Sequence, residues 1–213
     1  MSNVIFKRND EAIATDGGDF KGLNNSGIYD CTIVRASMNG NPDDQRKSVV
    51  LSVKTSEGEE TTIYNGLQFI QKDGSEHYQA KTLNALLSIL DIDELSVEKE
   101  THTFGTKSVE LDVIQELTDT EVKIKIVKGW YRKKDGSLGS SMEVKRFYSI
   151  KDGATASEIT NQVAELKQLK MDMEYASQDS YGKGISKSDV EAPQSGNAPA
   201  APVAKPNIFN KAQ

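Results

Sequence analysis

Cysteine occurs once in the 213 residues, as Cys31, and histidine twice, as His77 and His102. A single thiol excludes an intramolecular disulfide, and these three side chains are too few for an ordinary structural zinc site. Cys31 lies in an alternating apolar and polar run and reads as a small buried hydrophobe of a reducing compartment rather than a reactive thiol. Long hydrophobic runs are missing too. No window approaches the roughly 18 apolar residues of a membrane span, and the opening MSNVIFKRNDE has no apolar signal region. A soluble, intracellular protein is expected. Hydrophobic residues make up 36% of the chain, below the roughly 45 to 50% (a figure that also counts glycine) of globular domains, so part of the chain is expected to stay outside the core.

Catalytic signatures are also lacking. There is no G-x-x-x-x-G-K-[ST] phosphate loop, no G-x-S-x-G elbow, no H-E-x-x-H helix and no paired-cysteine metal motif. Gly182-Lys183-Gly184 has neither the preceding strand nor the following helix that a phosphate loop needs. Carboxylate pairs such as Asp43 with Asp44 and Asp91 with Asp93 read as solvated loop residues in an acidic chain. The expectation is a protein without enzymatic activity, metal or cofactor.

The chain divides into four parts. Residues 1–26 are expected to be an N-terminal segment packed on a domain of residues 27–152; residues 153–176 follow as a helix, and residues 177–213 as a flexible tail. Four of the five prolines, Pro193, Pro199, Pro202 and Pro206, lie in that last part, whose composition offers too little apolar surface to offset the entropy of ordering it. Within residues 154–173, Ile159, Val163, Leu166, Leu169 and Met173 fall on one helical face, and Thr155 with Glu158 fits a capping box. Such a stripe packs on the domain or docks a partner.

From Gly27 to Ile150 the pattern is mostly that of strands. Ile28, Asp30, Thr32 and Val34 alternate with Tyr29, Cys31, Ile33 and Arg35, and a polar loop from Asn39 to Asp44 follows. Val49, Leu51 and Val53 share a face of the next strand, and Ser56-Glu57-Gly58-Glu59 is a hairpin turn into a third, over residues 61–67. Leu83, Leu86, Leu87 and Leu90 then have helical spacing. After a polar stretch, Val122, Ile124 and Ile126 alternate with Lys123 and Lys125, and a loop at Asp135-Gly136 returns into residues 142–150. Three strands, a helix and two strands is the order of the OB fold, a five-stranded antiparallel barrel whose closure removes exposed edges. The expected class is therefore mainly β: an OB barrel with an inserted helix, a C-terminal helix and a disordered tail.

Charge distribution is the informative feature. Between Glu121 and Lys151 nine basic residues, Lys123, Lys125, Lys128, Arg132, Lys133, Lys134, Lys145, Arg146 and Lys151, face three acidic ones in a chain whose net charge is −6. A basic hairpin on an acidic protein suits a localised polyanion site. Trp130 and Tyr131 lie in its first strand, Phe147 and Tyr148 in its second. Neighbours on a strand point to opposite faces, so one ring of each pair can enter the core while the other stays among the lysines. Exposed rings beside cations bind single-stranded nucleic acid by base stacking, which duplex DNA precludes. In an OB barrel the loops after strands one and four flank the groove; here they carry Arg46-Lys47 and Arg132-Lys133-Lys134. Tyr64 and Phe69 extend the candidate stacking surface or enter the core, and Lys72, Tyr78 and Lys81 are weaker candidates.

The run Ser26-Gly27-Ile28-Tyr29-Asp30-Cys31-Thr32-Ile33, the later Lys81-Thr82-Leu83-Asn84-Ala85-Leu86-Leu87 before an acidic loop, residues 109–117 leading into the Lys-rich strand, and a terminal Pro206-Asn207-Ile208-Phe209 after an Ala/Pro/Gly-rich linker together resemble the single-stranded DNA-binding proteins of tailed bacteriophages. The resemblance implies an OB-fold protein that coats and protects single-stranded DNA during phage DNA replication or recombination, in the cytoplasm of the infected bacterial host, beside helicase, polymerase or recombinase proteins. Many such proteins end in an acidic tip, whereas this chain ends Asn207-Ile208-Phe209-Asn210-Lys211-Ala212-Gln213 with no carboxylate side chain; Ile208 and Phe209 are the candidates for docking replication or recombination partners. The rival expectations are a phage structural or interaction protein that binds a partner through its amphipathic helix, and a small nucleic-acid enzyme.

Overall fold

A computed structural model describes residues 22–40, 43–104 and 107–191. Strands dominate, and the sheet they form is antiparallel, curled and built around one long strand. That strand, β1 (Gly27–Gly40), buries Cys31, Ile33 and Ala36. It pairs along one edge with β2 (Lys47–Thr55), which buries Val49, Leu51 and Val53. The expected alternation fails at one place. A bulge between Ile33 and Arg35 shifts the register, so Ala36 rather than Arg35 continues the buried face. An extra residue in one strand reverses the parity of every side chain after it.

β2 turns at Ser56–Glu59 into β3 (Glu60–Ile63), with the Gly58 N–H donating to the Thr55 carbonyl at 2.9 Å. β3 is shorter than the expected span. After Tyr64-Asn65-Gly66 the chain bends and β4 (Gln68–Ile70) returns to the start of β2. Helix α1 (Ala80–Leu90) buries Ala80, Leu83 and Leu86 and ends at Asp91, whose left-handed backbone (φ 57) lets its N–H bond the Leu87 carbonyl.

An antiparallel ribbon, β5 (Glu98–Phe104) and β6 (Lys107–Val113), follows where the sequence reads mostly as polar. It joins the sheet through Ser37 and Met38 of β1. A 3-10 turn (Gln115–Leu117) buries Leu117 and leads into β7 (Thr120–Arg132) and β8 (Leu138–Tyr148), the expected basic hairpin. β7 lies along the free edge of the first half of β1. The curl brings β3 to β8, where Asn65 and Glu143 form a parallel bridge and the Val144 N–H reaches the Asn65 carbonyl at 3.1 Å. Val122, Ile124, Ile126, Val144 and Phe147 join the inner faces of β1 and β2 and the α1 leucines in one core.

Two expectations about the C-terminal part need correction. Residues 154–173 are not one helix. The capping box at Thr155 and Glu158 forms and starts α2 (Ala156–Thr160), but Gln162 is left-handed (φ 50), and α3 (Gln168–Met173) is a separate short helix. The Glu158 carboxylate explains the break, since it accepts from the backbone of Thr155 and also from the N–H groups of Lys167 and Gln168 at 3.0 and 3.1 Å. Ile159 and Val163 are left exposed.

The expected flexible tail from residue 177 also begins with ordered structure. β7 runs past the start of β1, since Gly27 pairs with Ile126. β9 (Ser180–Tyr181) fills that edge in parallel with Gly129 and Trp130, and α4 (Lys187–Glu191) follows. An unpaired edge of backbone donors and acceptors favours such an addition. At the other end, Leu23 is buried and its N–H bonds the Glu60 carbonyl at 3.1 Å. Residues 1–21 and the docking candidates Ile208 and Phe209 lie outside the described residues.

Candidate nucleic-acid interface

The β7–β8 hairpin has two faces with different fates. Lys123 pairs with Tyr148 and Lys125 with Arg146 across the strands, so these four side chains share the face opposite the core. That face is covered. The Asp172 carboxylate, from α3, accepts from Lys125 Nζ at 2.7 Å, an Arg146 guanidinium nitrogen at 2.7 Å, the Tyr148 hydroxyl at 2.6 Å and Gln168 at 3.0 Å. Burial pushes the Asp172 carboxyl up, but the hydrogen bonds from Lys125, Tyr148 and Gln168 and the charge of Arg146 outweigh it and hold the group at about 2. Lys123 is ion-paired with Asp30, its neighbour on β1. Tyr148 is fully buried, and burial and then Asp172 push its hydroxyl pKa up. Tyr148 therefore offers no stacking face, and Lys123, Lys125 and Arg146 are already matched by the chain's own carboxylates.

Towards the hairpin tip the arrangement opens. Trp130 is half-buried, its indole N–H donates to Asp179 at 2.7 Å, and Lys128 Nζ lies 4.7 Å above its ring. Asp179 also accepts from the Ser26 hydroxyl at 2.6 Å, so the tryptophan ties the start of β1 to the C-terminal segment. Tyr131, by contrast, is 45% exposed. Arg132 donates to the Gly136 carbonyl at 2.9 Å, and Lys133 and Lys134 project from the turn. Replacing Trp130 by Ala is predicted to destabilise the fold by about 2 kcal/mol, since a half-buried ring and its hydrogen bond are lost. Replacing Tyr131 by Ala should change stability by less than about 0.5 kcal/mol. Urea unfolding of the two variants checks this, and equal midpoints would contradict the assignment.

A second part of the surface forms around β2, β3 and β4. Arg46 is held by Asp44 through two nitrogens at 2.9 and 2.7 Å, whereas Lys47 is exposed. Both line a cleft with Asn39, Ser48 and Gln68. Ser48 and Gln68 also line a neighbouring cleft of about 320 Å³, bordered by Tyr64 and Tyr78 and reaching Glu143 on β8. Tyr64 and Tyr78 are 63% and 70% exposed. Lys145 pairs with Glu143 at 2.8 Å. Of the two readings left open for Phe69, the structure shows the second: it is partly buried and packs against the core, which removes it from the candidate stacking residues.

Sequence reasoning gave Tyr78 little weight and missed Asn65 and Glu143. The signal for Tyr78 was available: an aromatic residue in a polar stretch with no apolar periodicity around it has no core to enter. Here its ring sits 4.4 Å from that of His77, and its hydroxyl accepts from Gln79 at 3.4 Å. For Asn65 and Glu143 no local signal exists, because a contact between strands far apart in sequence brings them together.

A larger concavity of about 510 Å³ lies between the β2–β3 and β5–β6 hairpins, beside Arg35 and His102. Glu60 and Glu100 also line it, and two carboxylates suit a polyanion poorly. Cys31 is buried, and burial pushes its thiol up to about 12, far from a reactive thiolate at neutral pH. Among the described residues no group of three or more His, Cys, Asp or Glu is placed to hold a metal ion, and no helix is long and apolar enough to cross a membrane. Comparison with protein-family models gives no match, and comparison with curated proteins gives none either.

Proposed function

We propose that the protein is a non-enzymatic single-stranded DNA-binding protein whose curled sheet is an OB-type barrel. The strand order supports the fold: β1 lies between β2 and β7, β3 meets β8, and α1 falls between β1–β4 and the β7–β8 hairpin, with the short β4 and β9 as additions and the β5–β6 ribbon as an insertion. The observation that carries the function is the continuity of one surface. It begins at Arg46 and Lys47 and passes Ser48 and Gln68 to the rings of Tyr64 and Tyr78. Beyond Glu143, alternate positions of β8 lead through Ser141 to Gly139, which pairs with Tyr131 of β7 next to the Arg132-Lys133-Lys134 turn. Cations at both ends and exposed rings between them can follow a phosphate backbone while stacking on its bases.

Coating and protecting unpaired DNA during phage replication or recombination is the role that the sequence resemblance adds, with replication or recombination proteins as partners. The rival reading, a partner-docking helix, relies on an apolar stripe that is divided at Gln162.

The test is a fluorescence-anisotropy titration of labelled single-stranded DNA against salt, with duplex of the same sequence as competitor. Wild-type protein should prefer the single strand, and its log affinity should fall with log salt by roughly 0.7 per phosphate contacted. A variant with Lys47, Arg132, Lys133 and Lys134 all changed to Ala should lose about 3 from that slope. Tyr131→Ala should lower affinity about tenfold with the fold intact. An unchanged slope in the four-site variant would refute the assignment of the surface, and absence of binding at low salt would refute the function.

A further inference from the structure

Glu143 is out of place on a surface built for a polyanion, and its position is not accidental to the fold. It forms the bridge to Asn65 that joins β8 to β3, so its backbone is held where the two ends of the sheet path meet. Its side chain, 25% exposed, is paired with Lys145 and lines the cleft bordered by Tyr64 and Tyr78. A carboxylate there would repel a phosphate, but it can accept hydrogen bonds from the edge of a base whose faces lie against the rings.

Resting on the single-stranded DNA reading, we propose that this cleft is a base-specific pocket in which Glu143 selects guanine. Guanine alone among the four bases presents two adjacent donors, N1–H and the N2 amino group, on its pairing edge, and the two oxygens of a carboxylate match them. Cytosine and adenine place a ring acceptor beside their amino group, and thymine flanks its one donor with two carbonyls, so each sets an acceptor against the carboxylate. Lys145, ion-paired with Glu143, sets a positive charge beside the carboxylate within reach of the adjoining phosphate. Tyr78 is pre-oriented by its contacts with His77 and Gln79, so little freedom is lost when a base stacks on it. The protein would then hold single strands generally but settle with a guanine at this point.

The test compares oligo(dT) with alternating d(TG), d(TC) and d(TA) strands of equal length, for wild type and Glu143→Gln. Wild type should bind d(TG) about tenfold tighter than oligo(dT), the discrimination of one bidentate base contact. Glu143→Gln should bind oligo(dT) more tightly, because a repelling charge is gone, while the d(TG) preference collapses. A merely structural role for Glu143 would weaken all four strands together. Equal wild-type affinity for the four strands, or a preference that survives in Glu143→Gln, overturns the pocket and leaves the general function standing. Failure of every strand to bind at low salt overturns both.

Discussion

Replacing Gly66 by Ala is expected to destabilise the protein by more than about 3 kcal/mol, because two independent costs coincide at this residue. Its backbone is left-handed, with φ at +106, where a side chain is strained. In addition, a Cβ there would stand 2.4 Å from the Val144 carbonyl oxygen and 3.0 Å from its nitrogen, on the strand that Asn65 bridges. Neither atom can yield without moving β8, so the substitution pushes apart the two ends of the sheet path. Gly136 is the matched control. It too has a positive φ, +85, but nothing lies within 4 Å of a Cβ there, so Gly136→Ala should cost only about 1 kcal/mol. Chemical denaturation of both variants decides the matter. If Gly66→Ala proves no less stable than Gly136→Ala, the close approach of β3 to β8 is not a feature of the folded protein.

Asp172→Ala is expected to cost about 3 kcal/mol and to release the C-terminal segment from the sheet. The Asp172 side chain is 14% exposed and faces a lysine and an arginine as well as a buried tyrosine hydroxyl. Removing it leaves those donors partly desolvated without an acceptor. Asp172→Asn keeps the shape but loses the charge and should fall between wild type and Ala. The same carboxylate makes docking pH-dependent. Its folded-state value of about 2 lies below the ordinary 3.8, and that of Glu158, raised by burial but lowered further by four hydrogen bonds, is about 2 against 4.5. Carboxylates depressed on folding contribute stability that is complete above their unfolded values and is lost as pH falls through the folded ones. Undocking should therefore develop from about pH 4.5 down to about 2. Trp130, the only tryptophan, touches Asp179 of the segment, so its fluorescence should report this release. A fluorescence titration that is flat across this range in wild type, or one unaltered in Asp172→Asn, would show that Asp172 does not hold the segment.

The amino-acid sequence by itself determined the elements whose cause is local. Alternation in β2 and β7, the turns at Ser56–Glu59 and Asp135-Gly136, the leucine spacing of α1 and the capping box at Thr155 and Glu158 each depend on residues within a few positions of one another. It also determined that one hairpin carries most of the excess positive charge. The β5–β6 ribbon was legible only in part: Val109, Leu111 and Val113 alternate with Ser108, Glu110 and Asp112 in β6, but β5, Glu98–Phe104, is mostly polar and carries no such period.

Only the tertiary structure decided which of the charges and rings remain free. Lys125 and Arg146 meet Asp172, and Trp130 meets Asp179, from positions far along the chain. A one-residue bulge in β1 moved Arg35 off the buried face, and another in the β7–β8 register put Phe147 rather than Tyr148 on the core face with Val144, leaving Tyr148 beneath the C-terminal segment. Such outcomes follow from pairing between distant segments, which local periodicity does not encode; a single inserted residue reverses which side of a sheet every later side chain faces. The composition specified a basic, aromatic hairpin, and the fold chose the part of it that faces outward.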